Sequence, residues 1–536
     1  MDVTRNRSRR SAFVVLTAAL SVASLVGCTA GATADGDTGG TEILTVAASA
    51  AVTTWDPITS FSTEALYLGN LYEPLLWKNA EGADEEFSPA IAESWETSED
   101  GLTWTFHIRS GVTFHDGEAL DADAVVASIE AARERAGASF IWAPLDTIEA
   151  TDESTVVMHL KYSAPMDLVA ASTYGAWIVS PKALEAAAAD EQYFEAGIAA
   201  GTGPYMLDEY SPGEKVVLTA YEDYWSDEPY YDIVDIAITP DAVTAQQMLT
   251  AGEVDFSTSI PLENVESVAE QTGAEIRTAN SPFNFVAMLN TTKPPLDDPL
   301  VRQALSYAVP YQDIIDVSAL GYGTQSRTVV PKGIFPYSED VPQYTQDLDK
   351  ARDLLAQAGH ADGFTLELTY ASENPTETRF VPLIKDAFAQ IGVEVNVTAM
   401  LFNQQWEAAK ADASTAQDIF VLYYWPTYSD AGSDNLYSLF RSSEEPNFNL
   451  SYWNNPEYDA LIDAAGELTG SDREAAQATY EEAMQLLYDQ APALYLFDPQ
   501  AVTVAPAGLN IGDFNENYPF TTFFSRITPT GAGTAD

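Results

Sequence analysis

The chain has 536 residues, 46% of them hydrophobic, which is more than one hydrophobic core usually accommodates, so we expect two or three domains. Its formal net charge is −57, and a field of that sign repels nucleic acid and anionic lipid headgroups, which excludes both as expected partners. A single cysteine excludes a disulfide framework.

The first 28 residues have the layout of a secretory signal. Four arginines between Arg5 and Arg10 precede an apolar run over 12–26, which is too short for a membrane span of about 20 residues. Leu25-Val26-Gly27-Cys28 resembles a bacterial lipobox, in which the signal is cut before the cysteine and its thiol is lipidated (palmitate). We therefore expect a signal peptide over 1–27 and lipidation at Cys28. An ordinary signal peptide with an incidental cysteine is the alternative, and the sequence does not separate Sec from twin-arginine export.

Two segments have no apolar residues to bury in a core. Residues 28–41 are small, polar and Gly-rich, which is typical of a flexible tether, and 529–536 reads as a disordered tail. No later segment is apolar enough to cross a membrane. Because the chain begins with a secretory signal, the expected location is extracytoplasmic. The chain would be lipid-anchored to the outer face of the cell membrane, in the periplasmic space if the cell is Gram-negative.

Residues 87–161 predict short antiparallel strands. Trp104, Phe106 and Ile108 alternate with polar residues, turn sequences follow at 110–111 and 116–117, and apolar residues alternate again over 156–160. This pattern favours a separately folded insert.

Helices and strands alternate farther along the chain. Helical spacing over 242–251 precedes Gly252 and a short strand, and Asp298 is placed to cap a helix over 299–309. Asp347 is placed to cap another helix that ends near Gly359. Residues 364–400 then read as strand, helix and strand, which predicts a parallel pair with a right-handed crossover.

Ile419 to Tyr424 is a continuous apolar run, as expected for a central strand covered by helices on both faces. It ends in a loop over 425–430 that is aromatic and acidic. Ligands of open α/β sheets lie outside the carboxyl ends of strands, so this loop is a candidate binding site. The alternative is that Trp425 and Tyr428 only close the end of the core.

Several dispersed segments resemble the family 5 extracellular solute-binding proteins, the dipeptide, oligopeptide and nickel receptors of ABC importers. The similarity runs from about residue 43 to 528, and its most specific segments, in chain order, are 87–95, 100–106, 109–117, 201–205, 249–256, 289–291, 294–305 and 452–459.

The resemblance implies an α/β, two-lobed, periplasmic-binding-protein-like (type II) fold with an extra α+β domain in the first lobe. The implied first lobe comprises 42–75, 200–280 and 500–528; the extra domain is 76–199, and the second lobe is 281–499. Two crossings, near 277–285 and 497–503, are the implied hinges.

The implied function is capture of a small solute, with a peptide as the first expectation, between lobes that close on it. The loaded protein would deliver the solute to an ABC permease and ATPase complex. We expect a monomer without catalytic residues, cofactor or metal. An oligosaccharide or metal chelate is an alternative ligand.

In dipeptide receptors of this family, a Trp followed three residues later by Asp receives the peptide ammonium group. Here Trp425 matches, but Tyr428 stands three residues on and Asp430 is the nearest acid. Either Asp430 receives the ammonium from a shifted position or the ligand lacks that group. Tyr424, Trp425 and Tyr428 offer the alternative of stacking on a sugar ring. Across the cleft, the resemblance adds the loop of Thr59, Ser60 and Phe61.

A secreted glycoside hydrolase is the rival from another functional class. It needs two suitably spaced carboxylates, a pattern that 81 acids satisfy by chance. The sequence contains no nucleophile elbow, phosphate loop or His-Glu-x-x-His, and its four histidines are isolated.

Overall fold

The computed structural model describes residues 41–190, 192–443 and 448–531. The predicted signal peptide, the lipidation site Cys28, nearly all of the predicted tether and residues 532–536 lie outside the described residues. No helix in the described part of the chain is long and apolar enough to span a bilayer.

A mixed five-stranded sheet begins with the first described strand. Ile43–Ala48 pairs in parallel with one strand on each side. Two further strands, both antiparallel to their neighbours, extend the sheet. In spatial order the strands are Phe256–Ser257, Ile43–Ala48, Ile233–Ile238, Lys215–Ala220 and Tyr205–Ser211. Helices Ala65–Leu71, Ala242–Ala251 and Val265–Thr272 accompany this sheet.

The insert contains the predicted antiparallel strands, arranged as a four-stranded sheet in the order Ala92–Thr97, Thr103–Ile108, Thr155–Leu160 and Leu145–Asp152. Its helices are Ala122–Glu134, Met166–Ala170 and Pro181–Ala189, and a two-stranded ribbon pairs Leu76–Lys78 with Phe87–Pro89. Whether the insert folds separately stays a prediction. One hydrophobic cluster includes Val46 and Tyr67 together with Phe106 and Met158, so both sheets share a core.

A mixed six-stranded sheet organises residues 284–499. Its order is Gly323–Gln325, Ala493–Pro499, Asn284–Leu289, Ile419–Tyr424, Phe364–Ala371 and Val393–Met400. The predicted parallel strand–helix–strand unit is confirmed, with helix Pro375–Ala389 between its strands. The other helices here are Pro299–Ala308, Tyr311–Ser318, Leu348–Gln357, Phe402–Ala411, Tyr437–Phe440, Pro456–Thr469 and Arg473–Gln490.

The central position of strand Ile419–Tyr424 is also confirmed. Ile419 and Val421 belong to the hydrophobic cluster on one face of the sheet, whereas Phe420 and Leu422 belong to the cluster on the other face. Because successive side chains of a strand point to opposite faces, this alternation buries the strand on both sides. Asp298 and Asp347 cap their helices as predicted, by accepting from Leu300 N and Lys350 N.

Two strands connect the parts of the molecule built on these sheets. Glu275–Ala279 and Ala501–Ala505 pair antiparallel, with Arg277 opposite Thr503. We call the part with the five- and four-stranded sheets the first lobe and the part with the six-stranded sheet the second lobe. The two crossings thus run side by side, although the domain boundaries and the hinges stay predictions.

The chain returns to the first lobe after Ala505. Leu509–Asn510 pairs with Thr528–Pro529, and Thr530 N donates to Gly508 O at 2.9 Å. The predicted start of the tail at 529 is therefore wrong, because Pro529 and Thr530 are held by backbone pairing.

Candidate functional site

The loop after the central strand of the second lobe lies against the first lobe. Together they border a narrow, partly open cavity of about 20 Å³, space for about one water molecule. Its lining residues come from the second lobe (Pro282, Ile334, 425–429) and from the first (Thr173, Tyr174, Glu516, Asn517, Pro519 and Phe520). Residues of the two lobes therefore face each other directly across this cavity.

Trp425 stands in an aromatic cluster that joins the two lobes. Its ring centroid lies 5.9 Å from Phe283 and 5.7 Å from Tyr423 of the second lobe, and 6.2 Å from Phe520 of the first. Trp425 is half-buried, and such rings present both an apolar face and an N–H donor to a ligand. Trp425 therefore lies where the two lobes meet, and its role in ligand binding stays a prediction.

Tyr428 also lines the cavity and packs against the hydrophobic core of the first lobe. Burial raises the pKa of its phenol well above the ordinary value, and the nearby carboxylates of Asp430 and Asp434 act in the same direction. The phenol therefore stays protonated at neutral pH.

Asp430 is fully buried and does not line this cavity. Its Oδ1 accepts from Gly432 N and Ser433 N at 2.9 and 3.0 Å, and its Oδ2 accepts from the Ser433 hydroxyl at 2.6 Å. Burial raises the pKa of the carboxyl, and these hydrogen bonds oppose the rise. The carboxylate thus stabilises the turn at 430–433, and this geometry speaks against the expectation that it receives a ligand ammonium.

Tyr424 lies apart from Trp425 and Tyr428. Its hydroxyl donates to Asp434 Oδ1 at 3.2 Å, its ring lies 5.7 Å from Phe448, and it packs against a hydrophobic cluster of the second lobe. Because neighbouring residues of a strand point to opposite faces, Tyr423, not Tyr424, reaches the Trp425 cluster. The three rings are therefore not assembled as one stacking platform.

The predicted first-lobe loop is only partly directed at the site. The Ser60 hydroxyl is buried and donates to Glu64 Oε1 at 2.7 Å, while Thr59 packs closely against Gly137. Phe61 is 45% exposed, and its ring centroid lies 4.9 Å from that of Tyr174, which lines the cavity. Of these three residues, Phe61 is the one placed to reach a ligand.

Sequence reasoning missed the residues that complete the first-lobe wall. Tyr174 lies 251 residues before Trp425 along the chain, and the segment 516–520 begins 91 residues after it. No local sequence pattern can mark segments this distant as neighbours of the Trp425 loop. The Asn- and aromatic-rich run at 515–520 is an unusual composition that could have singled out the segment.

A second contact joins the lobes through residues that do not line the cavity. Arg473, the first residue of a second-lobe helix, donates from Nη2 to both carboxylate oxygens of Asp167 at 2.8 and 2.9 Å. Its Nη1 donates to Glu86 Oε1 at 2.9 Å. Close packing accompanies this ion pair, since a Cβ on Gly470 would lie 2.4 Å from the Ala164 carbonyl oxygen. We call the contact of Arg473 with Asp167 and Glu86 the interlobe ion pair.

Within the described part of the chain, no group of three or more His, Cys, Asp or Glu residues is arranged to hold a metal ion.

Comparison with known proteins relates this architecture to one family. The model of the bacterial extracellular solute-binding proteins, family 5 (middle region), matches residues 86–447. The haem-binding protein A of Haemophilus influenzae is 30% identical over 441 residues, covering 76% of this chain and 78% of the relative. The glutathione-binding protein GsiB of Salmonella typhimurium is 29% identical over 418 residues, covering 76% and 80%.

Solved structures show the same two-lobed fold. HbpA2 from Haemophilus parasuis superposes with a TM-score of 0.80 at 25% identity, covering 91% of this chain and 99% of that structure. The periplasmic binding protein DppA from Helicobacter pylori, solved in complex with the peptide STSA, superposes with a TM-score of 0.73 at 25% identity, covering 91% and 98%.

Proposed function

The chain belongs to family 5 of the bacterial extracellular solute-binding proteins, the substrate-binding components of ABC importers, and from this premise we propose that its solute is a peptide. The peptide is held between the two lobes and delivered to the membrane permease. Relatives named for glutathione binding and a relative solved with a peptide support this choice.

The observation that carries the proposal is the cavity with walls from both lobes. Trp425 and Tyr428 face it from the second lobe, while Tyr174 and the loop 516–520 face it from the first. Aromatic rings with a few polar groups between them are the usual lining of a small-ligand site. Polar residues, among them Thr427 and Asn517, lie beside these rings.

Ligand binding is coupled to movement of the lobes. A ligand shifts a conformational equilibrium only by its differential affinity for the two states, so it drives closure when it touches both lobes. The paired strands Glu275–Ala279 and Ala501–Ala505 are the connections about which such movement occurs.

The protein acts outside the cytoplasm as a monomer tethered by a lipid on Cys28, after removal of a signal peptide. The sequence Leu-Val-Gly-Cys is the support for this anchor. The receptor releases its ligand chemically unchanged, in keeping with membership of a family of solute-binding proteins.

The experiment is a thermal-shift screen of the purified protein against the peptide Ser-Thr-Ser-Ala, glutathione and haem, with mass spectrometry of co-purifying molecules. A peptide at 100 times its dissociation constant stabilises the native state by about 2.7 kcal/mol, and we expect a matching rise in melting temperature. A rise with haem alone would refute the peptide proposal. Hydrolysis of the bound peptide would refute the non-enzymatic role.

A further inference from the structure

Two phenylalanine side chains of the first lobe are exposed to solvent and lie against each other. Phe61 is 45% exposed, and Phe140, in the short helix Ser139–Trp142 of the insert, is 53% exposed. Their ring centroids are 6.3 Å apart, with an interplanar angle of 73°. Single exposed apolar side chains are normal on a protein surface, whereas a contiguous apolar patch marks a place where another molecule binds. We call Phe61 and Phe140 the aromatic ledge.

The aromatic ledge continues into the interlobe cavity. The ring centroid of Phe61 lies 4.9 Å from that of Tyr174, which lines the cavity. Tyr174, Phe61 and Phe140 therefore form an unbroken row of rings that leads from the cavity wall to exposed surface. Because the row begins inside the candidate site, a ligand that occupies the cavity and extends over the ledge accounts for both ends of the row.

The main chain holds the aromatic ledge in place. Arg135 of the insert forms a two-bond ion pair with Asp56. Two residues after that arginine, Gly137 packs so closely that a Cβ there would lie 2.7 Å from the Ile58 carbonyl oxygen. These contacts fix against each other the two segments that carry the ledge.

Two hydrogen bonds attach the third ring to the same segments. The Tyr174 hydroxyl donates to Ser62 O at 3.1 Å, and Trp142 Nε1 donates to Gly175 O at 2.8 Å. The three rings of the row are thus carried by segments that are already joined to one another. Rings positioned before a ligand arrives lower the entropic cost of binding it.

The aromatic ledge has the chemistry of an apolar surface, because the two buried acids of the adjoining loop already have partners. Asp56 pairs with Arg135. Glu64 accepts from the hydroxyls of Ser60 and Thr53 at 2.7 and 2.9 Å. A cationic group of a ligand would have to displace these partners, whereas a third aromatic ring adds to an edge-to-face pair without displacing any.

We propose that the aromatic ledge is a second ligand subsite, which binds an aromatic side chain of a peptide whose other residues lie in the interlobe cavity. This inference rests on the proposed function and deepens it, because it makes the insert, through Phe140 and Tyr174, part of the ligand site. The steps of 4.9 and 6.3 Å along the row of rings together equal the length of about three extended residues. The receptor therefore prefers peptides that carry an aromatic residue at about that distance from the residue held in the cavity.

The test is isothermal titration calorimetry of the purified protein with extended forms of Ser-Thr-Ser-Ala. The peptide is lengthened by one to three residues at either end, and each extension ends in Phe or, for comparison, in Ser. We expect the Phe-ended member of at least one pair to bind about 10-fold more tightly than its Ser-ended partner, because its ring is buried against the ledge. This comparison needs no variant and stands even if a substitution impairs folding.

Phe140→Ala tests the assignment directly, because a side chain so exposed can be shortened with little loss of packing. In this variant the ratio of the two affinities should fall to about one. Phe402→Ala is the matched control, since Phe402 is also an exposed phenylalanine but belongs to the second lobe and does not line the cavity. Its ratio should stay at about 10.

The outcomes separate this subsite from the proposed function. Ratios near one for every pair in the wild type, or an undiminished ratio in Phe140→Ala, would overturn the subsite and leave the peptide receptor standing. If the wild type bound neither glutathione nor any of the peptides, the proposed function and the subsite would fall together. Self-association of the wild type that Phe140→Ala abolishes, with ratios near one, would assign the ledge to a second copy of the chain instead.

Discussion

Removing the interlobe ion pair should favour separation of the lobes. In Arg473→Ala, Asp167 and Glu86 lose the guanidinium that joins them to the second lobe. The side chains of Arg473 and Asp167 are 24% and 11% exposed, so this contact is far better shielded from water than an ordinary surface pair.

The size of the effect follows from the contacts that are lost. A hydrogen bond to a charged group contributes about 1.5–3 kcal/mol, and this arginine donates three. Burial raises the pKa of Asp167, and the attraction of Arg473 opposes that rise without cancelling it, so desolvation takes back part of the gain. We expect a net loss of about 2 kcal/mol, which shifts the ratio of open to closed molecules about 30-fold.

Two measurements check this shift. Calorimetry with Ser-Thr-Ser-Ala should give an apparent affinity up to about 30-fold weaker, because the closed state, which a ligand that touches both lobes favours, is less populated in the variant. Spin labels on cysteines introduced at the exposed positions Glu99 and Glu474, in a Cys28→Ser background, should report a longer interlobe distance in the empty variant.

Arg441→Ala is the matched control. Arg441 forms a comparable two-bond pair with Asp463, at 2.7 and 2.8 Å, but both residues belong to the second lobe. It should leave the affinity and the interlobe distance unchanged. Equal affinities and equal distances in Arg473→Ala and the wild type would refute the reasoning.

Three further predictions concern the site, the stability and the anchor. Trp425→Ala should weaken peptide binding by about 2–4 kcal/mol in calorimetry while Tyr424→Phe leaves it unchanged, and equal affinities would place the ligand elsewhere. Burial raises the pKa of Glu377 from 4.5 to about 7, so the native state binds a proton more tightly than the unfolded chain and stability falls as pH rises between these values. Glu377→Gln should therefore be more stable than the wild type at pH 8, by about 3 kcal/mol, and nearly equal at pH 4 in urea unfolding; parallel pH profiles would contradict this. Cys28→Ala should move the protein from the membrane fraction to the soluble fraction on immunoblots, and retention in the membrane would argue against the lipid anchor.

The parts of the fold that were predictable from the sequence depend on short-range patterns. The strand–helix–strand unit at 364–400 and the caps Asp298 and Asp347 are encoded within a few residues, by alternation, helical spacing and side-chain capping. The antiparallel strands of the insert follow from the same alternation. Their shared core with the five-stranded sheet does not, because it depends on contacts between distant segments.

The candidate site, too, was predictable only as far as local sequence patterns reach. The sequence indicated the loop after Tyr424, since the end of a buried strand is a place where α/β proteins bind ligands. It could not indicate that Asp430 bonds to its own turn, because hydrogen-bond geometry is not visible in composition.

The sequence by itself determined the class of fold, the central strand and the position of Trp425 at its end, because each depends on local periodicity and on dispersed family segments. Only the tertiary structure decided which groups face that tryptophan. It brought Tyr174 and Glu516 to the opposite wall and joined Arg473 to Asp167, since both pairings are made by chain segments that meet only when the lobes are folded against each other.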